Sequence, residues 1–411
     1  MRYFNSTDEI IQYIDSLSGE EQRNEMFNTA IDKSFVEDVN SLDPFSDDYK
    51  KICLSIYEKI SNRSYQPFVG ELMPEHSHIE SNYPSPPFSS GSSINVGDYF
   101  MAWGGIIKLL NINSGMSVLE LGAGDGHISL ALARMQCDVH VLDAEPRYLN
   151  SIQENAAKFG VSVAVKHALF TDGFDGKKFD RILFFQSFHH ELHHGDLLDT
   201  LRGMLNPGGF IVFSGEPIVE RGNPFVPYCW GPRLDGLSVW CMRKWGWLEL
   251  GFETGFFVEL LMRHGFVVRR WMNPATGIGN CFIAEPNSSI VKLGECDIDI
   301  AIGDAGWHQA EGTHRWTGGQ AFIPIDLAHS WRCAVLRGTN HLPMGKFVTF
   351  RCGSNVVEKP VPAGQTFELA VALVPDATRF EILCPLTEPG EIGNIDPRSL
   401  GIAIHEIEYY S

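Results

Sequence analysis

The stretch Val118-Leu-Glu-Leu-Gly-Ala-Gly-Asp-Gly-His-Ile-Ser-Leu130 decides the fold. An apolar run of strand length feeds into Gly122, Gly124 and Gly126, and a helical pattern with Leu130, Leu132 and Ala133 follows. Glycines in that spacing are needed where backbone turns tightly and approaches a ligand with no Cβ in the way. A second apolar run ends in Asp143, 17 residues beyond Gly126, placed to accept hydrogen bonds from a ribose diol. Two common nucleotide loops do not fit. A dinucleotide Gly-x-Gly-x-x-Gly would need a third glycine at His127, and a P-loop would need a Gly-Lys-Ser/Thr that this loop lacks. The bland alternative is a tight strand–helix turn in a domain that binds nothing.

Outward from this loop, from about Val96 to Pro286, short apolar runs alternate with helical patterns, the signature of a doubly wound α/β sheet. The runs predict strands at Ser117–Leu121, Asp138–Asp143, Ser162–His167, Arg181–Phe185, Gly209–Phe213, Val267–Trp271 and Cys281–Ala284. An aromatic-rich insertion, 216–252, separates the fifth from the sixth. Before this region, residues 1–95 read as a helical N-terminal segment and a strap. Ser6 and Glu9 have capping-box spacing ahead of Ile10, Ile11, Ile14 and Leu17, and a second helix is expected around Ile52, Leu54, Ile56 and Ile60. Prolines 67, 74, 84, 86 and 87 exclude a long helix from Ser61 to Val96. Tyr65, Phe68, Met73, Tyr83 and Phe88 make that stretch too apolar for a free linker, so an ordered strap is expected. Residues 287–411 show short alternating runs broken by Gly and Pro, and predict a β-sandwich.

The combination Glu120-Leu-Gly-Ala-Gly-Asp-Gly with Val141-Leu-Asp resembles the first two motifs of class I S-adenosylmethionine-dependent methyltransferases. Phe179-Asp-Arg-Ile-Leu-Phe-Phe, Leu205-Asn-Pro-Gly-Gly and Leu261-Met-Arg-His-Gly-Phe look like that family's later motifs, in the expected order. The resemblance implies an α/β, Rossmann-like class I methyltransferase core at 96–286, flanked by the helical N-terminal segment and the C-terminal β-sandwich. It implies S-adenosylmethionine as cofactor. Glu120 and Gly122 would approach its methionine amino end, Asp143 the ribose, and Ala168 and Leu169 the adenine, with Ala123 and Gly124 also binding the cofactor. Asp125 would sit by the open cleft, Gln186 would line the pocket, and Tyr99 and Trp103 would cover the cofactor.

Phe188-His-His-Glu-Leu-His-His194 contains a formal His-Glu-x-x-His match from His190 to His194. On a helix those imidazoles would share a face and bind zinc, with Glu191 as general base. The segment follows directly on a strand and breaks at Gly195-Asp196, which leaves no room for such a helix, so no metal is assigned. In small-molecule methyltransferases of this class the same position faces the transferring methyl group. The resemblance therefore makes His189 or His190 the base or acceptor anchor, a role imidazole suits near neutral pH. His193 and His194 are expected at a solvated helix start.

The insertion falls where this fold builds its acceptor lid. Tyr228, Trp230, Arg233 and Asp235 combine aromatic faces with charged forks, the way proteins commonly hold sugars. The terminal region, with Trp307-His308, Glu311, Arg315-Trp316 and Asp396-Pro-Arg-Ser, is similar to a β-rich module of bacterial surface-polysaccharide enzymes. His308, Glu311, Arg315 and Trp316 would form its carbohydrate-contacting edge. The reading is then O-methyl transfer to a sugar or glycan hydroxyl in polysaccharide biosynthesis. The rivals are a methyltransferase of a natural product or protein, and a non-catalytic glycan-binding scaffold.

Composition agrees. The 411 residues suit two or three domains at roughly 150 each. With 32 Lys plus Arg against 51 Asp plus Glu, the formal charge is −19, which argues against nucleic acid as a partner. No apolar run reaches membrane-span length, and the polar, acidic start is unlike a secretory signal. Nine scattered cysteines without Cys-x-x-Cys fit reduced thiols in a cytoplasmic protein. Homo-oligomers are compatible with all of this.

Overall fold

The computed structural model describes residues 6–17, 36–72, 86–174, 176–297, 306–392 and 396–411. The chain divides into two compact units, one of residues 1–254 with 271–283 and one of 255–270 with 284–411.

The first unit opens with helix α1 (Thr7–Ser16), capped by Ser6, whose hydroxyl accepts from the Glu9 N–H at 3.2 Å. A short α2 (Val36–Asn40) leads to α3 (Asp47–Ser61), which Ser46 caps and which buries Tyr49, Cys53, Ile56, Tyr57 and Ile60 along one stripe. Pro67 starts the single-turn α4 (Pro67–Gly70), and α5 (Ser93–Leu110) precedes the sheet. Of the strap, Tyr65, Phe68 and Phe88 are described; Met73 and Tyr83 lie outside the described residues.

Then come β1 (Ser117–Leu121), α6 (His127–Arg134), β2 (Asp138–Asp143), α7 (Pro146–Phe159), β3 (Ala164–His167), β4 (Phe179–Phe185), α8 (His194–Gly203) and β5 (Leu205–Ser214). The insertion adds β6 (Ile218–Val219), β7 (Trp230–Pro232), α9 (Gly236–Lys244) and β8 (Leu250–Glu253), whose three strands form a small sheet of their own. Helix α10 (Thr254–Arg263), β9 (Phe266–Trp271) and β10 (Cys281–Pro286) follow. Within the first unit the main sheet runs in the order β3-β2-β1-β4-β5, all parallel, with β10 beside β5. Strand order reverses between β1 and β4, the switch point at which open α/β sheets bind ligands beyond the carboxyl ends of the strands. Val118, Val139, Val141, Leu183 and Val212 from the strands pack with Ile128, Leu132, Leu149 and Ile152 from α6 and α7 and with Ile106 and Leu110 from α5. Each such buried aliphatic side chain contributes about 1.5–3 kcal/mol.

β1 and β2 have the expected limits. β5 is longer than expected because Asn206-Pro-Gly-Gly209, which reads as a turn, is drawn into the strand. The pairing skips there from Phe179–Leu205 to Arg181–Phe210, an irregularity that accommodates the extra residues. His194 departs from expectation. It is buried at the start of α8, edge-on to Trp230 at 4.6 Å, while His193 stays half exposed.

In the second unit, the 284–411 part is β-rich. Trp307–Glu311, His314–Thr317, Ala403–Tyr410, Cys333–Thr339 and Thr366–Ala372 form an antiparallel sheet that Ile290–Lys292 joins; Gln320–Pro324, Arg379–Leu383, Lys346–Cys352 and Asn355–Val361 form a second. Thr366–Ala372 alternates strictly between buried and exposed residues, the period of two that its sequence displays. The expected glycan-contacting edge is taken apart here. Arg315 is buried and donates to the carbonyls of Leu293, His308 and Cys296, and Trp316 packs with Leu342, Leu400 and Ala403. All nine cysteines are free thiols.

Candidate active site

A cavity, partly open to solvent, lies where the strand order reverses. Its floor begins at the loop after β1. Gly122 has φ +68°, and a Cβ there would stand 2.6 Å from Ser187 Cβ. At Gly126, φ +69°, a Cβ would stand 2.6 Å from Ile152. Only glycine meets both the left-handed backbone and the close approach. Gly124, also left-handed, has open space where a Cβ would be and lines the cavity.

Asp143 ends β2 at the cavity wall. Its carboxylate accepts from the Gly124 N–H at 3.3 Å and the Glu145 N–H at 2.8 Å, and burial pushes it up to about 6. Glu145 caps α7 and pairs with Arg147 at 2.7 Å; Glu145 and Tyr148 continue the wall. Leu169 and Phe170, after β3, complete this side. Glu120 sits behind the loop, bonded to the Ser129 hydroxyl, and burial lifts it to about 7. Ala123, Asp125, Glu120 and Ala168 do not line the cavity; Ala168 is buried, and burial lifts Asp125 to about 6.

The opposite rim is built from distant pieces. Gln186, directly after β4, lines the cavity in a left-handed conformation (φ +56°) rare for a side chain of its size, and its Oε1 accepts from the Tyr99 hydroxyl at 3.0 Å. Trp103 stands beside Tyr99 but packs on His127 at 4.7 Å and lines a separate depression with Phe88 and Phe100. The turn Ser187–His190 is held by Glu216, which accepts from the N–H groups of Ser187 (2.8 Å), Phe188 (3.0 Å) and His189 (3.2 Å) and from His189 Nδ1 (2.8 Å). Burial works against the Glu216 charge, but the imidazole and the amides outweigh it and hold the carboxyl below its ordinary range.

His189 is therefore fixed inside, its Nε2 3.7 Å from Glu249, and it does not line the cavity. Desolvation keeps its imidazole below the ordinary value. Glu249 is paired with Arg233 and, despite burial, is held low by that guanidinium and by both histidines. His190 lines the cavity. Its Nδ1 lies 3.0 Å from Glu71 Oε2, a close contact with a carboxylate. Burial disfavours the His190 cation, yet Glu71 outweighs it and lifts the group to about 9. Burial raises Glu191, another lining residue, to about 7.

Glu71 and Tyr65 come from the strap and Trp247 from the insertion, and all three line the cavity. They are tied together. The Leu248 N–H donates to Glu71 at 3.0 Å, the Trp247 indole to the Leu72 carbonyl at 3.3 Å, and the Arg63 guanidinium to the carbonyls of Lys244 and Trp245. Residues 63–72 are thus tied to the insertion by hydrogen bonds.

Four insertion residues expected at the acceptor are packed elsewhere. Tyr228 is buried and donates to the Pro232 carbonyl. Trp230 is 1% exposed, with its indole on the Pro44 carbonyl and its ring against Tyr49. Asp235 caps α9 through the Ser238 N–H at 3.0 Å. Arg233 is committed to Glu249. None of the four lines the cavity.

Residues 118–209 match the family model described as a methyltransferase domain. The chain carries a methyltransferase domain there. Over 101 residues it is 30% identical to the ubiquinone biosynthesis O-methyltransferase of Cereibacter sphaeroides, which covers 24% of this chain and 41% of that protein. The protein of the same name from Azorhizobium caulinodans is 31% identical over 101 residues, 24% of this chain and 40% of its own. The chain thus spans about two fifths of the length of the curated relatives it matches. Among solved structures, 1,6-didemethyltoxoflavin-N1-methyltransferase of Burkholderia thailandensis, with S-adenosylhomocysteine bound, superposes with a TM-score of 0.35 at 19% identity, over 49% of this chain and 84% of that one.

Proposed function

We propose that the protein is an S-adenosylmethionine-dependent O-methyltransferase. The observation that carries this reading is the meeting, in one cavity, of the left-handed Gly122–Gly124 loop, the Asp143 carboxylate and His190. The residues fit the cofactor. Asp143 sets a carboxylate in the wall that can accept from a diol, Gly124 leaves open space at the loop, and Tyr148, Leu169 and Phe170 offer an apolar slot for a purine. When bound, S-adenosylmethionine supplies an electrophilic methyl carbon. The chain's own part is to align an acceptor hydroxyl, keep water away and take up a proton, for which Glu191, lifted to about 7, stands in the wall, with His190 beside it to anchor the acceptor.

Among the described residues no lysine or arginine lines the cavity, whereas Glu71, Glu145, Glu191 and Asp143 do. An acceptor group entering here is uncharged or cationic, and a phosphate beside the reacting hydroxyl is disfavoured. A sugar hydroxyl in a surface glycan or its precursor is the acceptor we favour. Its support in the cavity is Trp247 and Tyr65 as ring platforms, together with the carboxylates as hydroxyl acceptors. A phosphorylated sugar donor would need a free cation, and Arg233 is spoken for by Glu249.

The test is transfer of label from S-adenosylmethionine into cell extract separated into polysaccharide, nucleotide-sugar, small-molecule and protein pools. Label in a glycan pool, lost in Asp143→Ala, supports activity and acceptor together. Label in another pool keeps the transfer and discards the sugar. Absence of S-adenosylhomocysteine binding by calorimetry overturns the reading.

A further inference from the structure

We propose that His189, His190 and Glu249 bind a divalent first-row transition-metal ion at the edge of the cavity. One ligand atom from each of the three lies within 4.8 Å of the others. The distances have the right scale. Two donors about 2.1 Å from one ion stand about 3.0 Å apart at a right angle and about 3.4 Å at the tetrahedral angle; His189 Nε2 and Glu249 Oε2 are 3.7 Å apart. Two imidazoles on one ion bring their ring centroids to about 4.5 Å at a right angle and about 5.2 Å at the tetrahedral angle. Here the separation is 4.3 Å, close enough for both imidazoles to face one ion.

The surroundings are those of ligands held in place. Each candidate has its own charged partner: Glu216 on His189 Nδ1 at 2.8 Å, Glu71 beside His190 at 3.0 Å, and Arg233 on Glu249. The first of these fixes the tautomer with Nε2 as the lone-pair nitrogen, facing Glu249, as carboxylates do behind metal-bound histidines. Charge points the same way. The carboxylates of Glu71, Glu216 and Glu249 outnumber the one guanidinium around the two imidazoles, surroundings that suit a cation. Because His190 lines the cavity, an ion held by it would adjoin an acceptor hydroxyl, whose proton it would loosen. That last role rests on the methyl-transfer reading; the binding itself does not.

The experiment loads the full chain, stripped with chelator, with Co²⁺ alone. The expected result is one Co²⁺ per chain, with two exchangeable, paramagnetically shifted imidazole N–H resonances, one from each ligating histidine. His189→Gln and Glu249→Gln should each weaken uptake at least tenfold. S-adenosylhomocysteine binding, measured on the same samples, reports folding. Wild-type protein that binds S-adenosylhomocysteine but no Co²⁺ overturns the metal site and leaves methyl transfer standing. Co²⁺ uptake without S-adenosylhomocysteine binding does the reverse. Equal uptake by wild type and folded variants overturns the site by placing the ion elsewhere. If both variants lose both ligands, the wild-type N–H resonances decide: two support the assignment, and none overturns it.

Discussion

The two sides of the cavity are built by different means. The side carrying Gly122, Gly124, Asp143 and Glu145 comes from 24 consecutive residues, and its contacts are chiefly backbone N–H groups and turns set by the parallel sheet. The side carrying Glu71, His190, Glu191 and Trp247 joins a strap, the end of β4 and an insertion, through buried ion pairs and side-chain bonds to distant backbone. A local construction is rigid because the sheet is rigid. A construction from far-apart pieces stands only while each charge keeps its partner, since breaking one buried pair leaves the other charge uncompensated. Substitutions on the first side should therefore change cofactor affinity, and those on the second should change stability or acceptor use.

The severest test of that contrast is Glu216→Ala. It strands three amides and an imidazole, and should lower unfolding free energy by about 3–5 kcal/mol in a denaturant titration, given about 1–3 kcal/mol for each buried group left unsatisfied. A loss below about 1 kcal/mol would mean that the Ser187–His190 turn stands without its latch. Next is Gly122→Ala, which forces a Cβ against Ser187 at a left-handed backbone. It should reduce S-adenosylhomocysteine affinity at least tenfold by calorimetry, with about 1–3 kcal/mol of backbone strain behind the effect.

Asp143→Ala should weaken the same ligand by about 1–3 kcal/mol, the loss of its ribose hydrogen bonds. Asp143 also carries a pH signature. Its carboxyl is raised from 3.8 to about 6, so between those values the folded chain binds more protons than the unfolded one. Its contribution to apo stability therefore falls as pH climbs toward 6, while cofactor affinity rises as the carboxylate forms. The difference between wild type and Asp143→Asn across pH 4–7 measures both signs. Smallest should be Trp247→Leu: a few-fold rise in acceptor KM with cofactor affinity unchanged. A drop in cofactor affinity there would erase the distinction between the two sides.

The contrast also explains what could be read in advance. β1, β2 and the glycine loop were legible because an apolar run, a turn and a capping carboxylate are local signals. Glu216 was not, because its partners lie 27 to 29 residues upstream and it opens a stretch whose composition draws the eye to aromatics. Glu71 meets His190 from more than a hundred residues away, out of a proline-punctuated segment with no pattern to mark it. Tyr228 and Trp230 show the opposite failure. A ring that stacks on a sugar and a ring that fills a core have the same composition, and only the arrival of α3, with Tyr49 donating to the Trp230 carbonyl at 2.9 Å, separates them. His194 turned inward for the same reason, against that tryptophan.

The left-handed Gln186 has an optical consequence. Its side-chain oxygen receives the Tyr99 hydroxyl, and Tyr99 stands edge-on to Trp103, 5.7 Å away. Any occupant of the cavity that turns Gln186 breaks or remakes that hydrogen bond and changes the surroundings of the indole one ring further on. Trp103 emission is thus wired to the cavity from outside it, and a Trp103→Phe protein supplies the blank for reading occupancy without a label.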